Sequence, residues 1–185
     1  MAKYFFLFFS SILIAVASVS CGYDEVESDA VTEIHIMPFN NAGELPVPLG
    51  DDTSCPRSSL LLWISFSLAD YADVAHLASP MVELRISTLT DLADGFPAGS
   101  DVSSLFMIHP IRPEISHTDF DSYDYDPVRF SLPSPQQPLA TVYREGAYFM
   151  LIAPPAEPQQ CQFVATAFFA DGSSLSATTD LISLQ

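Results

Sequence analysis

Four aspartates, Asp119, Asp121, Asp124 and Asp126, crowd the run HTDFDSYDYDP at 117–127. Hard oxygen donors set this close are what Ca²⁺ requires, although the run has no glycine for the sharp turn of an EF-hand loop and no bidentate glutamate at the right offset. Phe120, Tyr123 and Tyr125 stand between the carboxylates. Aromatic faces among polar groups would equally suit a sugar. Asp119, Asp121, Tyr123, Asp124, Tyr125 and Asp126 therefore form a candidate cation or glycan loop, with an exposed acidic loop as the plainer alternative. The histidines, His35, His76, His109 and His117, have no metal-ligand spacing. The chain has no Gly-x-Ser-x-Gly elbow, phosphate-cradling loop or dinucleotide fingerprint. Paired carboxylates are everywhere in so acidic a chain, so they give no specific sign of a glycosidase. These residues point to a binding or structural role rather than an enzyme, and to no cofactor beyond the candidate Ca²⁺.

The cysteines carry a second kind of chemistry. Cys21 follows a leader with Lys3 at its start, an apolar stretch over 4–17 and the small residues Ser18, Val19 and Ser20. The apolar stretch falls short of the roughly 20 residues a transmembrane helix needs. Cleavage after Ser20 as an ordinary signal peptide is one reading. Acylation of Cys21 as a lipoprotein is the stronger one, with serine at position 18 where a lipobox usually has leucine. Cys55 and Cys161 then remain as an even pair. In an exported compartment they are expected to form a disulfide, with two buried free thiols as the alternative. Residues 1–20 are thus expected to be the signal peptide. Residues 21–30, GYDEVESDA after the cysteine, form an acidic tether, and 31–185 a single domain.

Charge narrows the partners. The chain carries a formal charge of −17, and Lys3 is its only lysine. The remaining bases are Arg57, Arg85, Arg112, Arg129 and Arg144, against 23 acidic residues. Such a surface repels nucleic acid. The partners left are a membrane, reached through the lipid, and a protein or glycan ligand.

The elements that would position these groups read as strands. Val31–Met37 alternates, with Ile34 and Ile36 opposite Glu33 and His35. Ser58–Leu68 places Leu60, Leu62, Ile64, Phe66 and Leu68 on one face, while Leu61 and Trp63 begin to cover the other, which predicts a central strand. Met81–Thr88, Ser104–His109, Val128–Leu132, Leu139–Tyr143, Ala147–Ala153, Gln162–Ala170 and Ser174–Leu184 complete the set. Period-two alternation with proline-rich punctuation predicts an all-β antiparallel sandwich of immunoglobulin-like architecture. Asp171-Gly172 marks a tight hairpin. Only Leu68–Ser79 has helix-compatible composition, and one short helix is expected near 68–79.

The leader, the acidic residues behind Cys21 and the closing run ATAFFADGSSLSATTDLISL together resemble small envelope lipoproteins of Bacteroidota, including families known only as domains of unknown function. The resemblance implies an outer-membrane lipoprotein, exposed at the cell surface, with a β-sandwich domain. Fimbrial subunits and anchors of the same bacteria share the lipidated two-sheet style, so a fimbria-like assembly subunit is the alternative function. An envelope hydrolase comes third.

Overall fold

The computed structural model describes residues 31–50, 53–69, 74–92, 95–109, 132–144 and 146–185. The strands are β1 (Val31–Asn40), β2 (Val47–Pro48), β3 (Ser54–Cys55), β4 (Leu60–Leu68), β5 (Val74–Thr88), β6 (Phe106–His109), β7 (Leu139–Tyr143), β8 (Ala147–Leu151), β9 (Gln159–Cys161), β10 (Phe163–Phe169), β11 (Ser174–Thr178) and β12 (Ile182–Leu184). One sheet has the order β2-β1-β4-β8-β6, a second β11-β10-β5-β7, and a small third β3-β12-β9. All pairings in the two large sheets are antiparallel. Taking β1, β4, β5, β6, β8, β10 and β11 as strands A to G, the large sheets read A-B-E-D and G-F-C. That is the constant-type immunoglobulin arrangement, with β7 added at the edge beside β5.

The expected central strand is β4, and its parity explains the core. Leu60, Leu62, Ile64 and Phe66 are fully or almost fully buried. They meet Leu84 and Ile86 of β5 and Phe163, Ala165 and Ala167 of β10 in one apolar cluster. Phe106 and Phe163 pack edge to face with centroids 5.4 Å apart, a favoured geometry for aromatic pairs. The outer face of the β5–β10–β11 sheet follows the expected polar alternation, with Glu83, Arg85, Thr166, Ser176 and Thr178 outward. There Arg85 bonds Glu83 at 2.8 Å and lies 4.8 Å above the Phe168 ring. The Asp171-Gly172 turn joins β10 to β11 with Gly172 at φ +88°.

Two expectations change. Residues 74–79 are strand rather than helix, paired as Val74↔Tyr143, Ala75↔Val142 and His76↔Thr141 with β7. Residues 70–73 lie outside the described set. Helix-compatible composition is a weak bias, and a paired neighbour overrides it. The second change concerns the disulfide: Cys55 and Cys161 are free, buried thiols. Cys55 pairs beside Leu184, Cys161 beside Ile182, and β12 runs between them. Two strand spacings amount to roughly 9–10 Å, beyond the ~7 Å between Cα atoms that a disulfide can bridge.

Burial pushes the Cys55 thiol up to about 11, and burial, with the nearby Cys55 thiol adding to it, pushes Cys161 up to about 12. Reactivity belongs to the thiolate, so the native thiols are expected to be inert to a thiol reagent at pH 8. Denaturant should release both. A protein that stays unreactive when unfolded, and reacts only after reduction, would restore the disulfide.

Candidate functional site

The outer face of the β1–β4–β8–β6 sheet departs from the polar alternation seen on the other sheet. Strand register sets its side chains in rows. Phe39, Leu61, Met150 and Met107 form one row, and Met37, Trp63, Tyr148 and His109 the next. His35 beside Ser65 and Glu33 beside Ser67 continue the face toward the start of β1. The ring-bearing half has its own small core, in which Phe39, Leu61 and Tyr148 are buried and Trp63 and Met150 pack on them. Phe39 stands edge-on to both Trp63 and Tyr148, at 6.4 and 5.3 Å between centroids. Met37 and Met107 flank this cluster at 41% and 49% exposure. Burial raises the Tyr148 phenol and lowers the His109 imidazole from their usual values. Both shifts favour the neutral forms, so this half of the face is uncharged at neutral pH.

Where the rings give way to hydroxyls, the face opens into a cleft of about 520 Å³ lined by His35, Trp63, Ser65, Phe66, Ser67, Leu68 and Arg144. β1 and β4 supply most of its lining, and the β7–β8 turn adds Arg144. The Phe66 N–H donates to the Arg144 carbonyl at 3.3 Å, and the Gly146 N–H closes the turn onto the Tyr143 carbonyl at 3.1 Å. Gly146 has φ +63°, and a Cβ there would lie 2.6 Å from Ser65 Cα and closer still to the Ile64 carbonyl. Glycine is therefore what lets the turn lie flat on β4 and bring Arg144 to the cleft. On the β1 side, His35 Nε2 and Ser67 Oγ share a hydrogen bond at 2.7 Å. Glu33 Oε2 stands 3.7 Å from the same nitrogen.

Serine, histidine and glutamate so close invite a catalytic reading, which the geometry does not support for this trio. A base must take the proton on one ring nitrogen while its acid holds the other. Here both partners address Nε2. Hydrogen-bonding recognition is what the trio can do.

No protein-family model, curated protein or solved structure matches this chain.

The sequence candidates fall variously against this site. Asp119, Asp121, Tyr123, Asp124, Tyr125 and Asp126 lie outside the described residues, as do Cys21 and His117. Among the described residues, no group of three or more His, Cys, Asp or Glu side chains is placed to hold a metal ion. His35 lines the cleft, His109 lies in the aromatic row beside Tyr148, and His76 reaches Thr141 at 3.2 Å on the other sheet. Sequence reasoning took Leu61 and Trp63 as signs of a central strand. The missed signal was that Phe39, Tyr148 and Met150 share their outward parity.

Proposed function

We propose that the protein is a membrane-tethered, surface-exposed lipoprotein of the outer membrane that acts as a binding module. Its recognition surface is the outer face of the β1–β4–β8–β6 sheet. The observation that carries this is the two-sided apolar sheet. A sandwich needs apolar residues on inner faces only; here Phe39, Leu61 and Tyr148 form a buried cluster on the outer face with Trp63 and Met150 packed on it and Met37 and Met107 exposed beside it, and exposed apolar side chains gathered at one place are the usual mark of an interaction site. Aromatic residues and methionine are also the types enriched at interface cores. The tether fits this use. β1 starts at Val31, ten residues after Cys21, and Val31 pairs with Leu68 beside the cleft.

An array of glycans and proteins, probed with residues 31–185, tests the reading. Wild type and Arg85→Gln, altered on the opposite sheet, are expected to capture the same ligand. Trp63→Ala is expected to lose it by tenfold or more, since a central aromatic truncation commonly costs ≥ 2 kcal/mol. Equal capture by all three proteins would refute the assignment.

A second reading is an assembly subunit that grows by strand addition. β1 supports it. It is the first strand described, lies at a sheet edge apart from β2 pairing at Phe39 and Asn40, and supplies Ile34 and Ile36 to the core. Such a strand is the kind a donor could replace.

A further inference from the structure

The charge of the chain has an uncommon origin. An ordinary domain has about 25% charged residues, which at this length is about 23 acids and about 23 bases. The chain has its 23 acids but only 6 bases. Bases are missing; acids are not in excess. We propose that residues 21–185 are built to persist among trypsin-like proteases, whose specificity pocket holds an aspartate and takes a lysine or an arginine. The sheet face has no part in this property.

The arginines that remain sit where such a protease gains little. To cut, it must draw the side chain into its pocket and the scissile carbonyl into its oxyanion hole. A bond whose groups are already tied must first open locally, against the stability of that region. The Arg57 guanidinium donates to the Pro155 carbonyl at 2.9 Å and also to that of Ala156, while the Arg57 N–H donates to Gln185 at 3.0 Å. Arg85 lies in β5 opposite Thr166 of β10, with Nε on Glu83 and the guanidinium over the Phe168 ring. The next residue, Ile86, is buried and donates its N–H to Ser103 Oγ at 2.9 Å. The Arg144 carbonyl accepts the Phe66 N–H, in the turn that Gly146 holds against β4. Arg112 and Arg129 lie outside the described residues. Arg112 precedes Pro113, whose ring replaces the N–H and crowds the bond to be cut. Arg129–Phe130 is left as the ordinary site. Residues 21–30, the expected tether, hold no base, so a trypsin-like protease has nothing there to cut.

Plainer reasons explain less. Solubility is served by added acids, and none are added. Avoidance of anionic surfaces would thin out bases, but it would be indifferent to a following proline and to the backbone around each arginine. Compactness alone would resist every protease alike. Yet Glu44 is exposed in the 41–46 loop, and exposed loop tips are where proteases nick. That loop lacks only the side chain that trypsin reads.

The purified full chain is digested with trypsin and, separately, with a glutamate-specific protease, both native and unfolded in urea, and the cut sites are read by mass spectrometry. Under trypsin the native protein is expected to keep the bonds after Arg57, Arg85 and Arg144, while the unfolded chain loses all three. A nick after Arg129 fits the expectation, and its two fragments should stay together, since the β4–β8 and β5–β10 pairings join them. The glutamate-specific protease should cut the native chain after Glu44. Glu44→Lys should let trypsin cut at that same bond, about tenfold or more faster than the bonds after Arg57, Arg85 and Arg144 are lost. An unchanged melting temperature of this variant would show that the domain has not opened. If trypsin cuts the native chain after Arg57, Arg85 or Arg144 as fast as the unfolded one, the arginines are not placed for resistance and the proposal is overturned. If native Glu44→Lys resists trypsin as well as wild type does, compactness protects the domain and the missing bases do not, which overturns it too.

Discussion

Gly146→Ala is expected to lower the melting temperature by ~10 °C or more, or to prevent folding. Two costs combine at this position. Alanine in the left-handed region costs roughly 1 kcal/mol. In addition, its Cβ would sit 2.6 Å from Ser65 Cα, an overlap with backbone rather than with the end of a movable side chain. β4 cannot retreat, since it is paired with β1 on one side and β8 on the other. Overpacking of this kind adds about 1–3 kcal/mol or more, and 1 kcal/mol is worth about 2–4 °C in a domain of this size. Gly172→Ala is the natural comparison. Gly172 also has positive φ, at +88°, but its Cβ would meet nothing within 4 Å. It should lose only the conformational part, about 1 kcal/mol. Thermal unfolding of the two variants side by side decides the matter. Equal losses would mean that the β7–β8 turn does not rest on β4 as described. The Arg144 placement would then fail as well.

Cys21→Ser is expected to move the protein from the membrane to the soluble fraction almost completely. The energetics of a lipid anchor set this expectation. Each buried CH₂ of an acyl chain contributes ~0.8 kcal/mol; one chain gives marginal binding and several give a stable anchor. Serine cannot form the thioether, so the entire contribution vanishes rather than diminishing. Fractionation of cells expressing the two forms is the check, with protease added to intact cells to read surface exposure. Unchanged fractionation would contradict the lipoprotein assignment, and ordinary cleavage after Ser20 predicts soluble protein in both cases. The fold of the described strands, the first of which is Val31–Asn40, is expected to be unchanged.

Much of the fold was legible because its signals are local. The Leu60–Leu68 alternation marks a core strand, and Asp171-Gly172 a hairpin, from neighbouring residues alone. The order in which strands pair is a non-local property, and the immunoglobulin arrangement could be named as architecture but not traced. Residues 74–79 misled because LADYADVAHLAS has helix-compatible composition, while the pairing with β7 that makes it a strand lies some 65 residues away at Thr141. Ser174–Leu184 was one expected strand and is two. The Thr179 hydroxyl between them accepts the Phe163 N–H at 3.1 Å and is buried there. Cys55 and Cys161 illustrate the limit of parity: two cysteines can be counted from sequence, but the strand between them cannot. The proposed binding face was half visible. Leu61 and Trp63 showed that β4 is apolar on both sides, yet only register brings Phe39, Tyr148 and Met150 alongside them. Arg144 gave no local sign, because it reaches the cleft through a turn fixed by Gly146 against another strand.

Hydrogen–deuterium exchange, with and without the ligand captured on the array, tests the central claim most directly. Recognition by the sheet face predicts added protection in Val31–Asn40, Leu60–Leu68 and the 143–150 stretch. The loops at the opposite end of the sandwich, 41–46 and 152–158, should be unchanged. Protection confined to those loops, with β1 and β4 unaffected, would contradict it.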